Sequence, residues 1–266
     1  MNAMTDAPAI EFLGVCKRFA ARGRSAEVLA VRDVTFSIQP GEVVSLIGPS
    51  GCGKSTLLNM GSGLARPTEG LVRVAGEAVE GPNAHVSFML QKDLLMPWRT
   101  IAQNIEFGLE LRGVAAPERQ RVSTQLLQQC HLSGFGSHYP HQLSGGMRQR
   151  AALARTLAVD PLVLLMDEPF SALDAQTKMI LQQDLARTVA AERKTVLFIT
   201  HDLTEAVALS DRILVMSERP GTIIEQITVD LPDRHNPMQR RKHDGLGRLV
   251  ARLMDLLKLD ASTEVH

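Results

Sequence analysis

Three short stretches of this chain have residue types and spacings suited to handling phosphate. The first, Gly48-Pro49-Ser50-Gly51-Cys52-Gly53-Lys54-Ser55-Thr56, fits the phosphate-loop pattern G-x-x-x-x-G-K-[ST] at every defined position. Glycines at 48, 51 and 53 allow backbone angles and a close approach that a Cβ would block. Lys54 is placed to reach the β- and γ-phosphates, and the Ser55 hydroxyl to ligate Mg²⁺. The pattern predicts nucleoside triphosphate binding. The second stretch is Asp167-Glu168-Pro169, directly after the apolar run 162–166. Carboxylates at the end of a buried strand are where such folds hold Mg²⁺, and a buried acid pair needs a cation or a function. Read alone, the same tripeptide is a strand-ending turn with its acids in water. The third is Leu143-Ser144-Gly145-Gly146-Met147, where Ser144 is a natural N-cap and two glycines leave first-turn N–H groups bare. His201 follows another apolar run, 195–200, on the crevice side of an open sheet, though a lone histidine also suits a structural role.

The elements that must position these residues read as an α/β fold. Residues 43–47 are apolar and β-branched, as a buried strand should be, and 56–60 begin a helix. Strands are expected at 10–15, 31–38, 71–74, 86–90, 212–216 and 222–229. In 31–38, Val34, Phe36 and Ile38 alternate with Asp33, Thr35 and Ser37. Residues 17–24 form a polar loop holding Phe19, which either stacks on a nucleotide base or ends a strand in the core. Helical spacing marks 101–111, 117–130, the run from the third stretch through 157, and 175–190. Helices therefore accumulate at about 92–158, as an inserted subdomain between strand-rich parts. Trp98, the single tryptophan, lies at its start, either in that subdomain's core or on its surface. After residue 231 the basic cluster Arg240-Arg241-Lys242 reads most simply as a solvated linker. Leu246, Leu249, Val250, Leu253 and Leu257 beyond it have the spacing of an amphipathic helix.

Composition narrows the function classes. Of 266 residues, 44% are hydrophobic, enough for a large core. Lys+Arg and Asp+Glu are 29 each, so the basic excess of a nucleic-acid binder is missing. The three cysteines, Cys16, Cys52 and Cys130, form no C-x-x-C pair, which argues against a zinc site or disulfide framework and for a reducing compartment. The first eight residues lack the basic and apolar parts of a signal peptide. No apolar run approaches the roughly 20 residues that span a bilayer.

In order, Gly48 to Thr56, Gln91, Leu143 to Met147, Leu164 to Glu168, Ser171 to Asp174 and His201 resemble the Walker A, Q-loop, signature, Walker B, D-loop and H-loop of ATP-binding cassette (ABC) ATPases. Finer features resemble the ATPases of nitrate, sulfonate and taurine importers: Pro97-Trp98-Arg99-Thr100, Tyr139-Pro140-His141-Gln142 and Arg219-Pro220-Gly221. Met147 stands where the superfamily usually has glutamine, and Phe19 where the adenine-stacking residue is often tyrosine.

The resemblance implies a phosphate-loop NTPase core with a mainly parallel sheet, an N-terminal antiparallel β part and the helical insert. It also implies a cassette over 9–230 and a C-terminal extension over 231–266. Two copies would pair head to tail, each ATP lying between one copy's residues 48–56 and the other's Ser144, Gly145 and Gly146, with Asp174 beside them. Ser55, Gln91 and Asp167 would organise Mg²⁺, Glu168 would polarise water, and His201 would hold it in line. Implied partners are integral membrane permeases and, indirectly, an extracytoplasmic solute-binding protein, at the cytoplasmic face of the inner membrane. An ATPase for glycine betaine, a metal or export is the alternative. A DNA-repair ABC protein would need a long coiled coil, but fewer than a hundred residues separate Gly53 from Ser144.

Overall fold

The computed structural model describes residues 7–20 and 27–258; residues 21–24 of the expected 17–24 loop lie outside them. In chain order the elements are β1 (Ile10–Phe19), β2 (Val28–Ile38), β3 (Val43–Ile47), α1 (Lys54–Gly61), β4 (Glu69–Val74), β5 (Glu77–Ala78) and β6 (Val86–Met89). Then come α2 (Ile101–Leu111), α3 (Ala116–Gln129), α4 (Gly145–Ala158), β7 (Val163–Asp167), α5 (Ala175–Glu192) and β8 (Thr195–Ile199). The chain closes with α6 (Leu203–Leu209), β9 (Arg212–Met216), β10 (Ile223–Thr228), α7 (Pro237–Arg240) and α8 (Asp244–Leu256).

Two sheets carry the fold. An antiparallel sheet runs β2-β1-β4-β5, and a six-stranded one runs β10-β9-β3-β8-β7-β6. In the second, every pairing is parallel except β9 with β10. Strands β3, β7 and β8 are buried at every residue, as expected of central parallel strands covered on both faces. One apolar cluster lies between the two sheets and α1, joining Phe12, Phe36, Leu46, Leu57 and Leu165. A second packs α2, α3, α4 and α5 against the other sheet face through Ile105, Leu127, Leu153, Phe170 and Phe198.

The insert is fixed to its entry loop by one buried amide. Asn104 accepts from Met96 N (2.7 Å), and its Nδ2 donates to the carbonyls of Met96, Arg99 and Thr100. Thr100 and Gln103 complete a capping box at the start of α2. The loop 96–100 therefore has a fixed shape and presents Trp98 outward, 73% exposed, so the core reading of that residue is set aside.

Two expectations are corrected. Strand β1 continues to Phe19 because Lys17, Arg18 and Phe19 pair with Val31, Leu29 and Val28, which a polar composition does not reveal. The cluster around Arg240 is no solvated linker. Arg240 is 2% exposed and donates to the carbonyls of Ser210 (2.8 Å), Leu231 (2.9 Å) and Val229 (3.1 Å). These are chain-end carbonyls left over where α6 and β10 stop, and a guanidinium supplies enough donors to satisfy several at once. Beyond it, α8 lays Leu246, Leu249, Val250 and Leu253 on the cluster formed by Ile47, Val207 and Ile227.

Replacing Arg240 by methionine keeps the bulk and strands those acceptors, so unfolding free energy is expected to fall by about 2–4 kcal/mol. Urea unfolding measures it; a loss below about 0.5 kcal/mol, the range of an ordinary surface change, would contradict the assignment.

Candidate functional site

The β3–α1 junction is the floor of the site. Gly53 closes the turn in the left-handed region (φ 112°), and α1 has neither a capping side chain nor an acidic residue in its first turn. Its leading N–H groups thus face outward at the positive end of the helix dipole. The cradle depends on missing side chains. A Cβ at Gly53 would meet Val31 Cγ2 at 2.7 Å and Ala30 O at 3.0 Å, and one at Gly48 would meet Met216 Cβ at 2.9 Å. Lys54 Nζ curls over the loop and donates to Gly48 O (2.7 Å) and Pro49 O (2.8 Å). Cys52 is buried beneath.

Opposite the loop stands the acid pair. Asp167 ends β7 and is 8% exposed. Burial pushes its carboxyl above the usual range and Glu168 adds to this, against a Ser55 hydrogen bond and the Lys54 charge. Glu168 turns out of the strand with φ +50°, uncommon for a residue with a side chain. Its backbone is held there: its N–H donates to Ile199 O (3.1 Å), and Ser171 donates to its carbonyl through both N (3.2 Å) and Oγ (3.0 Å). Gln91 Nε2 then donates to Glu168 Oε2 (3.1 Å), and His201 Nδ1 lies 3.6 Å from the same oxygen.

The turn that follows His201 is braced by a chain of polar contacts. Asp202 caps α6 by accepting from Glu205 N (3.0 Å), and Lys178 reaches both Asp202 and Glu205 at 2.8 Å. Gln182 Nε2 donates to Glu205 (2.9 Å), and Arg241 donates to Gln182. Burial works against ionisation of all three charged groups. For Asp202 the Lys178 ammonium outweighs it and holds the carboxyl low, whereas Glu205, buried more deeply, ends above its usual range. The two carboxylates in turn raise Lys178 despite its burial.

Between loop and acids is a cavity of about 420 Å³, lined among others by Phe19, Lys54, Ser55, Gln91, Asp167 and Glu168. Ser50, Gly51, Gly53 and Thr56 complete the phosphate-loop side, and Phe19, 47% exposed, stands at the rim rather than in the core. Arg219 also lines the cavity, although its sequence neighbourhood drew notice only for its likeness to importer ATPases. The other expected residues lie elsewhere. Asp174 caps α5, its side chain accepting from Thr177 N (3.0 Å). Ser144 caps α4 by accepting from Met147 N (3.3 Å), and neither it nor Gly145 and Gly146 lines the cavity. Ser144 and Gly145 are exposed.

The donor set fits a magnesium-bound triphosphate. One wall offers bare N–H groups and an ammonium for phosphate oxygens. With the Ser55 hydroxyl from the loop, the other wall offers amide and carboxylate oxygens, the hard donors that Mg²⁺ takes, including a buried acid whose ionised form a cation would favour.

Fold and site together define a phosphate-loop nucleoside triphosphatase. Comparison with known proteins makes the class specific: the sequence model of the ABC transporter family matches residues 31–171, and this chain belongs to that family of ATP-binding, ATP-hydrolysing subunits. It is 45% identical over 219 residues to the nitrate import ATP-binding protein NrtD of Synechocystis sp., covering 82% of each. It is 41% identical over 231 residues to the taurine import ATP-binding protein TauB of Yersinia pestis, covering 86% of this chain and 90% of that one. Its backbone is similar to that of the ATP-binding cassette MJ0796, solved as a dimer in a post-hydrolysis state bound to ADP and Pi. There the TM-score is 0.75 and the identity 31%, over 83% of this chain and 98% of that one.

A Gly53→Ala chain is expected to lose about 1–3 kcal/mol of stability, because its Cβ must push the loop away from β2 or force a strained backbone. Thermal unfolding without nucleotide checks this. An unchanged midpoint would show that the cradle has room to spare.

Proposed function

We propose that this chain is the energy-coupling ATPase of an ABC importer for a small anion of the nitrate, sulfonate or taurine type. The observation that carries the reading is the division of the site. A cavity with the phosphate loop, the acid pair and Gln91 sits on one face, while the exposed helix start at Ser144 and Gly145 serves no phosphate in its own chain. A second copy paired head to tail would bring each exposed turn over the other's triphosphate. The dimeric MJ0796 structures support such pairing, and the likeness to the nitrate import protein NrtD and the taurine import protein TauB supports import of a solute of that type.

In this reading the cassette spans 9–230, with the helical insert at about 92–158 and an extension over 231–266. The N–H groups of Gly48, Ser50, Gly51, Cys52 and Gly53, with Lys54, neutralise phosphate charge, Pro49 shapes the loop between them, Thr56 continues the cradle and Phe19 stacks on the base. Ser55, Gln91 and Asp167 would hold Mg²⁺, which supplies charge neutralisation on the phosphate oxygens when bound. Glu168 draws a proton from the attacking water, and His201, within reach of Glu168, keeps that water in line. Ser144, Gly145, Gly146 and Asp174 act across the dimer. Chemistry of this kind is mostly positioning and charge stabilisation, which is what a rigid, hydrogen-bonded acid turn provides.

Trp98 supports the transport half of the reading. It borders a groove of about 870 Å³ between α2 and α3, lined also by Ala102, Glu106, Arg119 and Gly136. A large, fixed, exposed aromatic beside a groove suits docking of another protein, and a membrane permease is the partner proposed. No helix among the described residues is long and apolar enough to cross a membrane, so such a permease would hold the chain at the cytoplasmic face. An extracytoplasmic binding protein would complete the system; no nucleic acid is involved.

Glu168→Gln is expected to cut ATP turnover by about 10²–10⁴-fold while leaving ATP binding in place and accumulating an ATP-bound dimer. Steady-state hydrolysis with light scattering reads both, and undiminished turnover would remove Glu168 from the mechanism. Trp98→Ala is expected to keep the isolated chain's ATPase rate and lose association with the permease in a pull-down. Normal assembly would place the docking surface elsewhere.

A further inference from the structure

The turn joining β9 to β10 is built tightly against the phosphate loop. Ser217 N donates to Thr222 O (3.0 Å), Thr222 N donates back to Ser217 Oγ (3.0 Å), and that hydroxyl also contacts Pro220 O (3.3 Å). Gly221 extends β2 by one rung: its N–H donates to Ala30 O (2.9 Å), and Arg32 N donates to its carbonyl (3.0 Å). A Cβ on Gly221 would lie 2.0 Å from Cys52 O, so this backbone is in direct contact with the loop. The turn then sends Arg219 along the loop's edge, where Nε and Nη2 both donate to Gly51 O, at 3.0 and 2.8 Å. The same side chain lines the cavity that holds Lys54 and Glu168.

Apart from Arg219, little packs against Gly51: a Cβ there would meet only Arg219 Nη2, at 3.4 Å. Its φ of +74° suits glycine, and glycine loses the most conformational freedom when a loop is ordered. Two charge-assisted hydrogen bonds onto its carbonyl fix the plane of the 51–52 peptide, and with it the Cys52 N–H on the opposite edge, which donates across the loop to Pro49 O (3.4 Å). The guanidinium also gives the cavity lining a positive charge in addition to that of Lys54. We infer that Arg219 is a positioning residue for the polyphosphate of the bound nucleotide, holding the phosphate loop in its binding shape before the nucleotide arrives. The inference rests on reading the cavity as the nucleotide site.

The test uses the full chain, with calorimetric binding of Mg-ADP and steady-state hydrolysis of Mg-ATP. Arg219→Met is expected to raise the ADP Kd and the ATP KM about tenfold, with kcat at saturation held within about twofold. Arg219→Lys, which keeps the charge and one donor, is expected to recover part of the loss. Nucleotide-free unfolding of each variant shows whether it is folded, and the lysine variant decides the matter if the methionine variant is not. Binding within twofold of the parent chain, a fall in kcat at unchanged KM, or lysine no better than methionine would each overturn the inference. Lys54→Ala separates the two levels. If that variant binds ADP like the parent, the nucleotide reading of the cavity fails and this inference with it. If it loses binding while Arg219→Met keeps it, the Arg219 inference alone is wrong.

Discussion

A triphosphate concentrates several negative charges within a few ångströms, and the protein must meet them with backbone N–H groups that do not move away. That demand shapes the molecule. Bare N–H groups at the start of α1 require a left-handed approach through residue 53, and only glycine fits there because β2 passes directly beneath it. The loop in turn needs β3 to be immobile, which its place inside the six-stranded sheet, with β9 on one side and β8 on the other, provides. Strand β8 separates β3 from β7, so the acid pair faces the loop across an intervening strand and leaves room for the nucleotide.

The opposite wall illustrates the same economy. Glu168 occupies a backbone conformation that costs energy, and it is retained because β8 and Ser171 both hold its main chain. Strain kept in place by several hydrogen bonds is typical of residues whose side chain must point somewhere unusual. The segment after His201 is held more indirectly, through Asp202, Lys178, Glu205, Gln182 and Arg241. That chain of contacts ties Arg241, beyond β10, to the turn that follows the histidine.

Much of this was legible in the residues. Short-range chemistry wrote itself clearly: glycines at fixed spacing, a cap at Ser144, uniformly apolar strands, and the helical period of 101–111. The parts that were not legible are long-range. The burial of Arg240 depends on which carbonyls are left over at the ends of α6 and β10, and nothing local distinguishes it from Lys242. The continuation of β1 to Phe19 depends on its pairing with β2. Arg219 was visible as part of an Arg-Pro-Gly turn, yet its bond to Gly51 joins residues 168 positions apart. For Arg240, Arg219 and the end of β1 the deciding partner is distant in sequence, so no local pattern could show it.

The central claim is that one chain holds only half of each working site. Complementation between two inactive variants tests it most directly. Lys54→Ala damages the phosphate-loop half, and Ser144→Arg blocks the signature half. Mixed, they can form one intact composite site in which the loop comes from one copy and the exposed turn from the other. The account predicts that each variant alone hydrolyses ATP at background rate and that the mixture recovers a substantial part of the parent activity. A mixture as inactive as its components, despite demonstrated association of the two chains, would contradict it.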